Sequence, residues 1–500
     1  MNLYSSFPFS DLLEQVRSAL PPDITAYLVG GAVRDALLNR PVHDLDFALT
    51  SRALEAGRRV ANVLDGAYYP LDVERQTARV ILTPPDGDQQ VLDFALLRGA
   101  DIESDLRDRD FTINAMAVEL DDQATLLDPL KGAADLRNGI LHTCSDTAFS
   151  DDPIRVLRGI RQASAFDLRI PSQTGMLMRQ AVKLIPSVSV ERIRDELFRV
   201  FERPGAAVVI RVMDRMGVLN HVLPELQQMK NVEQSLPHTD DVWHHTFEVL
   251  SRLDDVEDVL SSRYDPEASA SWALGLISVR LGRYRDNISQ HLQASITPGR
   301  STRSLLAFAA LYHDSGKPET YQVDEGGRIR FFNHQEVGAD IAAARARALR
   351  LSNEEVGWVK TVVRNHMRPL LLAQSNQAPS KRAVYRFFRD TGGAGVEVCL
   401  HSLADTLATY GPALPSDVWT SHLNVVRELL EAWWEQSEVI ISPPQVIRGG
   451  ELIELLGIEP GPLVGELLDM IREAQATGQV VERDDALALA QSALDYMGDN

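Results

Sequence analysis

Cysteine is scarce in this chain, with only Cys144 and Cys399 among 500 residues. Two thiols cannot build a disulfide framework or a cysteine-rich zinc site, which fits a reducing compartment. No apolar stretch approaches the roughly 20 residues that a membrane span needs. The first residues, Met1 to Phe7, lack the basic start and apolar core of a signal peptide. We therefore expect a cytoplasmic protein that does not enter a membrane.

Basic residues are outnumbered by acidic ones: the chain has 50 Lys and Arg but 71 Asp and Glu, which gives a net charge of −21. This balance argues against a protein that coats polyanions with its whole surface. One stretch differs: residues 155–211 contain eleven basic and five acidic side chains. It predicts a local polyanion-binding strip, with arginines on solvated helix faces as the simpler alternative.

Two hydrophobic periodicities divide the chain, whose length predicts two to four domains. Residues 1–150 mix strand and helix patterns, whereas helices dominate from about residue 150 onward. The fold class is therefore predicted to be α+β, with a small mixed sheet in the head and an all-α remainder. The predicted elements of the head are strands over 26–29, 46–49, 79–82 and 90–95, helices over 32–38 and 51–64, and a turn over 84–87.

Gly30 and Gly31 follow the first predicted strand and precede a helix. Two glycines at such a junction let backbone N–H groups approach a phosphate, and the N-terminus of the helix adds its positive dipole. Arg34, one turn into the helix, is a candidate ligand for the same anion. A plain turn would also explain the glycine pair.

Asp44 and Asp46 alternate along the second predicted strand, so their carboxylates should lie on one face of the sheet. Such a pair can hold two divalent metal ions, which clamp the attacking and leaving oxygens of a phosphoryl transfer. Asp93, on a neighbouring strand, is a candidate third carboxylate. The alternative is a solvated strand edge, which the nearby glycine pair makes the weaker interpretation.

Arginines mark the next two segments. Arg109 is a candidate triphosphate ligand. Further on, acidic Asp152 precedes Arg155, Arg158 and Arg161, which recur every third residue on one face of a predicted helix. Guanidinium groups in such a row can bind a triphosphate or an RNA backbone.

In this order, the motifs around Gly30-Gly31, Asp44-x-Asp46, Arg109, Asp152-x-x-Arg155 and 189–197 resemble the class II tRNA nucleotidyltransferase/poly(A) polymerase family, over residues 20–215. The resemblance implies a polymerase-β-like head over 1–150 and a helical neck over 151–215. It also implies Mg²⁺ at Asp44 and Asp46 and base reading by Asp152 and Arg155. The nucleotide contacts that we expect are Gly30, Gly31, Arg34, Arg109, Asp152, Arg155, Arg158 and Arg161. Two residues depart from the family pattern: Asp108 stands where a second Arg is usual, and Asp151 where Glu is common.

Histidines and carboxylates recur in the helical part of the chain. Imidazole and carboxylate ligands that come from several helices suit a one- or two-metal hydrolytic site. The set resembles the HD phosphohydrolase superfamily, which implies an HD-type domain over 216–410, a helical tail over 411–500 and a divalent transition metal. The expected ligands are His245, His313, Asp314 and Asp405, with His334 and His366 at a second metal position. Separate structural histidines, or a degenerate domain kept for folding, are the alternatives.

The expected activity is addition of CMP and AMP, from CTP and ATP, to the 3′ end of tRNA or another RNA, which builds or repairs the CCA end. The head motifs do not separate this activity from that of a poly(A) polymerase or an enzyme that adds only CC or only A. A metal-dependent phosphohydrolase with an inactive, RNA-binding head is the alternative from another class. The sequence gives no indication of oligomeric state.

Overall fold

The computed structural model describes residues 10–42, 44–83, 89–121, 125–261, 271–375 and 377–498. The predicted turn over 84–87 lies outside these residues. The chain divides into two compact units, of which the first comprises residues 1–196 and 212–222 and the second comprises 197–211 and 223–500. The division into four domains stays a prediction.

The first unit is built on a mixed sheet with the strand order β3-β4-β5-β2-β1-β6-β7. Its strands are β1 (Ala26–Val29), β2 (Asp44–Leu49), β3 (Ala67–Asp72), β4 (Thr77–Leu82), β5 (Gln90–Leu96), β6 (Ala117–Glu119) and β7 (Leu126–Leu127). Strands β2 and β5 run parallel, and the other neighbouring pairs run antiparallel. This parallel pair places the two motif-bearing strands side by side over the whole length of β2.

Helices of the first unit flank the sheet and continue beyond it. They are α1 (Ser10–Ala19), α2 (Gly31–Leu37), α3 (Ala53–Val63), α4 (Ile102–Arg107), α5 (Gly132–Arg137), α6 (Ala148–Asp151), α7 (Ile154–Ala165), α8 (Ser172–Ala181), α9 (Val190–Phe201), α10 (Ala206–Arg215) and α11 (Leu219–Val222). The boundary between the units passes through α9 and α10.

Strand β2 shows why the head folds as it does. Its residues alternate, so Leu45, Phe47 and Leu49 enter the core while Asp44 and Asp46 face solvent. The ring of Phe47 stacks on Phe94 of β5, with 5.0 Å between the ring centroids. The buried face therefore fixes the register, and the register fixes where the acidic face lies.

The second unit is mainly helical. Its helices are α12 (Val242–Val259), α13 (Trp272–Leu281), α14 (Arg285–Gln293), α15 (Thr302–Tyr312), α16 (His334–Ala348), α17 (Asn353–Asn365), α18 (Arg368–Ala373), α19 (Lys381–Thr391), α20 (Gly395–Tyr410), α21 (Ser416–Glu435), α22 (Gly449–Leu456), α23 (Pro462–Thr477) and α24 (Arg483–Gly498). Two short strand pairs interrupt them: β8 (Ser295–Thr297) with β9 (Arg300–Ser301), and β10 (Tyr321–Val323) with β11 (Ile329–Phe331). Short 3₁₀ segments cover Thr112–Asn114, Val182–Ser187, Pro224–Met229, Gly282–Tyr284, Gly392–Ala394 and Gly411–Ala413, and a π turn covers Ser437–Ile441.

The α+β prediction is confirmed, with a sheet-containing head and a helical remainder. The predicted strand over 26–29 matches β1, and the helices over 32–38 and 51–64 match α2 and α3 within two residues at each end. Strands β3, β6 and β7 were not predicted, because β3 contains a proline and β6 and β7 are only three and two residues long. None of the helices described is long and apolar enough to cross a membrane.

Candidate active site and metal centre

Three carboxylates meet on the solvent face of the head sheet. Asp44 and Asp46 occupy alternate positions of β2, and Asp46 lies in register beside Asp93 of the parallel strand β5. Arg79 of β4 pairs with Asp93 through two hydrogen bonds, both of 2.8 Å. The sequence analysis missed Arg79, whose partner is 14 residues away across a β-hairpin. The negative charge of Asp93 is therefore compensated by the guanidinium of Arg79.

Gly30 lies against the same carboxylates. Its φ of +75° is a left-handed conformation that glycine adopts readily. A Cβ atom at this position would lie 3.0 Å from Nη1 of Arg109 and 3.7 Å from Oδ2 of Asp46. Glycine thus leaves open the space between the guanidinium of Arg109 and the carboxylate of Asp46, where a bound group can approach the backbone.

Arg109 is held in place by the protein itself. Its Nε and Nη2 donate to Oδ2 of Asp105 at 3.1 and 3.0 Å, and the Asp105 side chain is almost fully buried. The remaining Nη1 is the atom that faces Gly30. Buried Asp105, which the sequence analysis did not single out, therefore acts as the support that aims Arg109 at the carboxylate face.

Ionisation of Asp46 is unfavourable in the folded protein. Although solvent reaches this side chain, desolvation by the surrounding protein atoms and repulsion from Asp93 raise its pKa to about 6, against the opposing effect of Arg109. A folded-state pKa above that of the unfolded chain means that ionisation destabilises the fold. This cost develops as the pH rises from about 4 to 6 and is fully present above 6.

We predict that Asp46→Asn raises the Tm of the protein at pH 8 in the presence of a chelator, because asparagine carries no charge to be desolvated. The gain should shrink as the pH falls from 7 toward 4. Thermal unfolding measured across this pH range tests it, with exposed Asp11→Asn as the matched control. An equal Tm for Asp46→Asn and the unsubstituted protein at pH 8 would contradict the cost assigned to the ionised Asp46 carboxylate.

Arg34 sits deeper than the sequence suggested. Its Nη1 donates to Oδ1 of Asn114 at 2.6 Å, its Nε and Nη2 bind the neighbouring Asp35, and its guanidinium stacks 4.1 Å above the ring of Phe166. Only 9% of the residue is exposed. Arg34 therefore lies under the glycine turn and ties α2 to the Asn114 segment.

A buried polar chain continues from Asn114 to α7. Asn114 donates to Asp110 and to Gln162, each at 3.0 Å, and Asp110 binds Nη1 of Arg158 at 3.1 Å. Burial alone would raise the pKa of Asp110, but Arg158 and the hydrogen bond from Asn114 hold it below its usual value. Asp110 is thus an ionised anchor for Arg158.

A glutamate of α9 binds two of the three arginines in the row on α7. Glu196, which is 3% exposed, accepts from Nε of Arg158 at 3.3 Å and from Nε of Arg161 at 2.8 Å. Arg155 instead donates to three backbone carbonyls, those of Asp108, Arg109 and Ala148. The row therefore consists of positioned arginines rather than freely solvated ones.

Asp152 lies two residues before α7 begins, and Nη2 of Arg192 on α9 donates to its Oδ2 at 2.6 Å. Asp152 does not cap α7, whose N-cap residue is Pro153. Arg192, Glu196 and Asp110 lay inside motifs that the sequence analysis quoted, but their roles as supports depend on contacts 35 to 48 residues apart.

A second cluster of ionisable groups lies in the second unit. His245 comes from α12, His313 and Asp314 follow α15, His334 begins α16, His366 follows α17 and Asp405 belongs to α20. Among these residues are two overlapping groups of three. Within each group, one potential ligand atom per residue lies within 4.8 Å of the other two. They are His245, His313 and Asp314 in one group, and Asp314, His334 and His366 in the other. Asp405 lies beside the first group, with its Oδ1 3.0 Å from Nε2 of His245.

Three histidines of this cluster are oriented in the same way. Nδ1 of His313, His334 and His366 lies 2.7 to 2.9 Å from the backbone carbonyl three residues earlier. A carbonyl only accepts, so Nδ1 carries the proton and Nε2 keeps its lone pair when the ring is neutral. Such a second hydrogen bond is what fixes a metal-binding imidazole. Nε2 of His313 lies 3.1 Å from Oδ2 of Asp314, and Nε2 of His334 lies 3.4 Å from Oδ1 of Asp314.

The electrostatics suit a cation-binding cluster. Burial lowers the pKa of His366 to about 3, so this imidazole is neutral. Burial alone would raise the pKa of Asp314, but His313 and Lys317 hold it well below its usual range. Burial also lowers the pKa of His334, whereas burial acting on His313 is outweighed by the Asp314 carboxylate, which raises the pKa of that imidazole. Imidazoles around an ionised carboxylate form the donor set that divalent metals prefer in such sites.

The cluster opens into a cleft of about 430 Å³. Its wall includes His238, Lys317, Arg330 and Tyr410 beside the candidate ligands. The sequence analysis assigned no role to His238 or Lys317. Nζ of Lys317 lies 2.6 Å from Oδ2 of Asp314. Because Lys317 follows Asp314 by three residues, the sequence could have indicated this contact.

Comparison with known proteins matches three family models to this chain. The Poly A polymerase head domain matches residues 26–142, the probable RNA and SrmB-binding site of polymerase A matches 167–230, and the HD domain matches 271–409. The chain is 32% identical to the A-adding tRNA nucleotidyltransferase of Deinococcus radiodurans, over 95% of this chain and 97% of that protein. It is 31% identical to the CC-adding tRNA nucleotidyltransferase of Geobacter sulfurreducens, over 92% of this chain and 90% of that protein.

Solved structures agree on the fold. A CCA-adding enzyme in complex with CTP superimposes with a TM-score of 0.60 at 21% identity, covering 98% of this chain and 97% of the other. The Thermotoga maritima CCA-adding enzyme complexed with tRNA gives a TM-score of 0.55 at 20% identity, with 98% of both chains covered. Together with the full-length relatives, these matches place the chain: it belongs to the tRNA nucleotidyltransferase/poly(A) polymerase family and is a nucleotidyltransferase.

Proposed function

We propose that this enzyme transfers C and A nucleotides from CTP and ATP to the 3′ end of tRNA and so completes or repairs the CCA end. The observation that carries the proposal is the meeting of Asp44 and Asp46 with Gly30 and Arg109 on one face of the head sheet. This arrangement offers ionisable oxygens, backbone room and a fixed cation at one place, which a triphosphate-consuming transfer requires. A protein that meets tRNA and nucleotides belongs in the cytoplasm.

The family uses divalent metal, and the donor set fits such an ion. Asp44 and Asp46 present hard oxygen ligands. Desolvation and repulsion from Asp93 raise the pKa of Asp46, and a bound cation would offset both effects. We propose Mg²⁺ held by these two residues, with Asp93 as the third carboxylate of the set. When bound, the metal neutralises charge on the triphosphate and favours ionisation of the 3′-hydroxyl.

The chain's own residues would position the triphosphate. Gly30 leaves the space through which phosphate oxygens approach the backbone, and Nη1 of Arg109 borders that space. Asp105 fixes Arg109, so the guanidinium loses little freedom when an anion binds. Arg158 and Arg161, held by Glu196, are two further positioned guanidinium groups of the same unit.

Base choice would rest on Asp152 and Arg155. C and A both present an exocyclic amino donor beside an acceptor ring nitrogen, which suits a carboxylate together with a guanidinium. U and G place a carbonyl oxygen where the amino group would be, and two facing acceptors leave polar groups unpaired. Each unpaired group costs about 1–3 kcal/mol.

We predict that Asp152→Ala and Arg155→Ala lower the use of CTP and ATP and relax the rejection of UTP and GTP, by about 5- to 150-fold in the ratio of kcat/KM values. Steady-state kinetics with all four nucleotides and one tRNA measure this ratio. Exposed Arg59→Ala on α3 is the control for loss of one surface arginine. Unchanged selectivity in both variants would show that the base is read elsewhere.

Addition of only part of the CCA end is the second candidate, because relatives matched over nearly the whole chain are named A-adding and CC-adding tRNA nucleotidyltransferases. A tRNA that ends in CC and an otherwise equal tRNA that ends before CC separate the candidates. An enzyme for the whole CCA end extends both, a CC-adding enzyme extends only the shorter one, and an A-adding enzyme extends only the tRNA that ends in CC. Preference for an unstructured oligo(A) primer over both tRNAs would instead indicate a poly(A) polymerase.

The cluster in the second unit supports a further activity, metal-dependent phosphohydrolysis. We propose that His245, His313, Asp314 and Asp405 hold one divalent transition metal, and that His334 and His366 complete a second position. In His313, His334 and His366, Nδ1 lies within hydrogen-bond distance of a backbone carbonyl, which leaves Nε2 as the potential ligand atom and supports this assignment. The metal would supply a polarised water for attack on a phosphate ester.

A further inference from the structure

Asp152 is bound on one side only. Nη2 of Arg192 donates to Oδ2 of Asp152 at 2.6 Å, and Oδ1 has no hydrogen-bond partner among the described residues. The carboxylate is about three-quarters buried, whereas half of the Arg192 side chain is exposed. One oxygen is thus fixed by the protein, and the other remains available to an incoming donor.

Arg192 occupies a position from which it can set the direction of that carboxylate. It lies on α9, one turn before Glu196, and Glu196 holds Arg158 and Arg161 of α7. Arg192 therefore contacts Asp152 just before α7, and Glu196 contacts Arg158 and Arg161 within α7. Because i and i+4 share one helix face, a single packing of α9 positions both contacts.

We propose that Arg192 is a positioning residue for nucleotide selection: it orients the Asp152 carboxylate so that the free oxygen receives the amino group shared by C and A. This inference rests on the proposed function and on base reading by Asp152. An unheld aspartate rotates about two side-chain bonds, and a carboxylate that has rotated away no longer opposes a carbonyl oxygen at the base-reading position. A guanidinium fixed on Oδ2 removes that freedom and keeps the group an acceptor.

Half of the Arg192 side chain is exposed, so we expect its ion pair with Asp152 to contribute little to folding. Exposed ion pairs contribute about 0–1 kcal/mol to stability. Arg192→Ala should therefore leave the Tm nearly unchanged, and a change in selectivity would not reflect unfolding. Lysine supplies the charge but not the planar fork, so Arg192→Lys should restore part of the selectivity.

The experiment measures kcat/KM for CTP, ATP, UTP and GTP with one tRNA for the unsubstituted enzyme, Arg192→Ala, Arg192→Lys, Asp152→Ala and the double variant Asp152→Ala/Arg192→Ala. We expect Arg192→Ala to lower discrimination against UTP by about tenfold and Arg192→Lys to lie between it and the unsubstituted enzyme. The double variant should match Asp152→Ala alone, because Arg192 acts through Asp152.

Each outcome decides the inference. Unchanged discrimination in Arg192→Ala, or additive effects in the double variant, would overturn it. A higher KM for tRNA with the same discrimination would overturn it in favour of an RNA-binding role for Arg192. If the unsubstituted enzyme adds no nucleotide to tRNA, the proposed function fails. If it adds nucleotides but Asp152→Ala keeps its selectivity, only base reading by Asp152, and with it the role of Arg192, fails.

Discussion

Replacement of Asp44 or Asp46 by alanine is expected to abolish nucleotide addition while the protein stays folded. Each carboxylate lies on the solvent face of β2, whereas the core face is formed by Leu45, Phe47 and Leu49. Loss of a metal ligand removes several kcal/mol of transition-state stabilisation, on the order of a 10³-fold decrease in kcat/KM. Incorporation of labelled CMP and AMP into tRNA at saturating Mg²⁺ measures this loss.

The control is exposed Asp11→Ala on α1, which removes one carboxylate from the same unit. Circular dichroism and Tm should show that all three variants are folded, since none of the substitutions touches the core. Asp46→Ala also removes a charge whose ionisation opposes folding. Turnover near the unsubstituted level in folded Asp44→Ala or Asp46→Ala would disprove the assignment of these residues as metal ligands.

The double substitution His313→Ala and Asp314→Ala is expected to remove bound transition metal, and any metal-dependent phosphatase activity, from the second unit. Asp314 belongs to both candidate ligand groups, so its loss disrupts each of them. Nucleotide addition should persist, because the carboxylates of the head come from different strands of a different unit. Metal content by elemental analysis and hydrolysis of p-nitrophenyl phosphate measure the two effects.

Asp314 also binds Lys317 in the interior, and removal of one partner from a buried ion pair costs about 3–5 kcal/mol. Asp314→Asn and His313→Gln are therefore tested alongside, since they keep the volume and part of the hydrogen bonding. His244→Ala, at the exposed neighbour of His245, is the matched control. Full metal content in folded His313→Gln and Asp314→Asn would contradict the ligand assignment, and loss of nucleotide addition in the folded variants would contradict the independence of the two sites.

The sequence predicted the parts of the fold that local patterns determine. Strand β1 and helices α2 and α3 follow from hydrophobic periodicity and from the Gly30-Gly31 junction. The alternation in β2 also predicted that Asp44 and Asp46 share a face. Strand β3 escaped prediction because its pairing with β4, rather than its own sequence, keeps it extended.

The supporting residues of the candidate site could not be read from spacing. Asp105 is close to Arg109 in sequence, but its burial, which makes it a firm anchor, is a tertiary property. The contacts of Arg79 with Asp93, of Arg192 with Asp152 and of Glu196 with the α7 arginines depend on how strands pair and how helices pack. Motifs therefore indicated the candidate groups for substrate binding, and the structure adds the residues that hold these groups in place.

The most direct test of the central claim uses the unsubstituted protein and a tRNA that lacks its last three nucleotides. The tRNA is incubated with Mg²⁺ and CTP alone, ATP alone, or both, and the 3′ ends are sequenced. We predict that CTP alone gives two added C residues, ATP alone gives no addition, and both together give CCA. No nucleotide added under any of these conditions, by a folded protein supplied with Mg²⁺, would contradict the account.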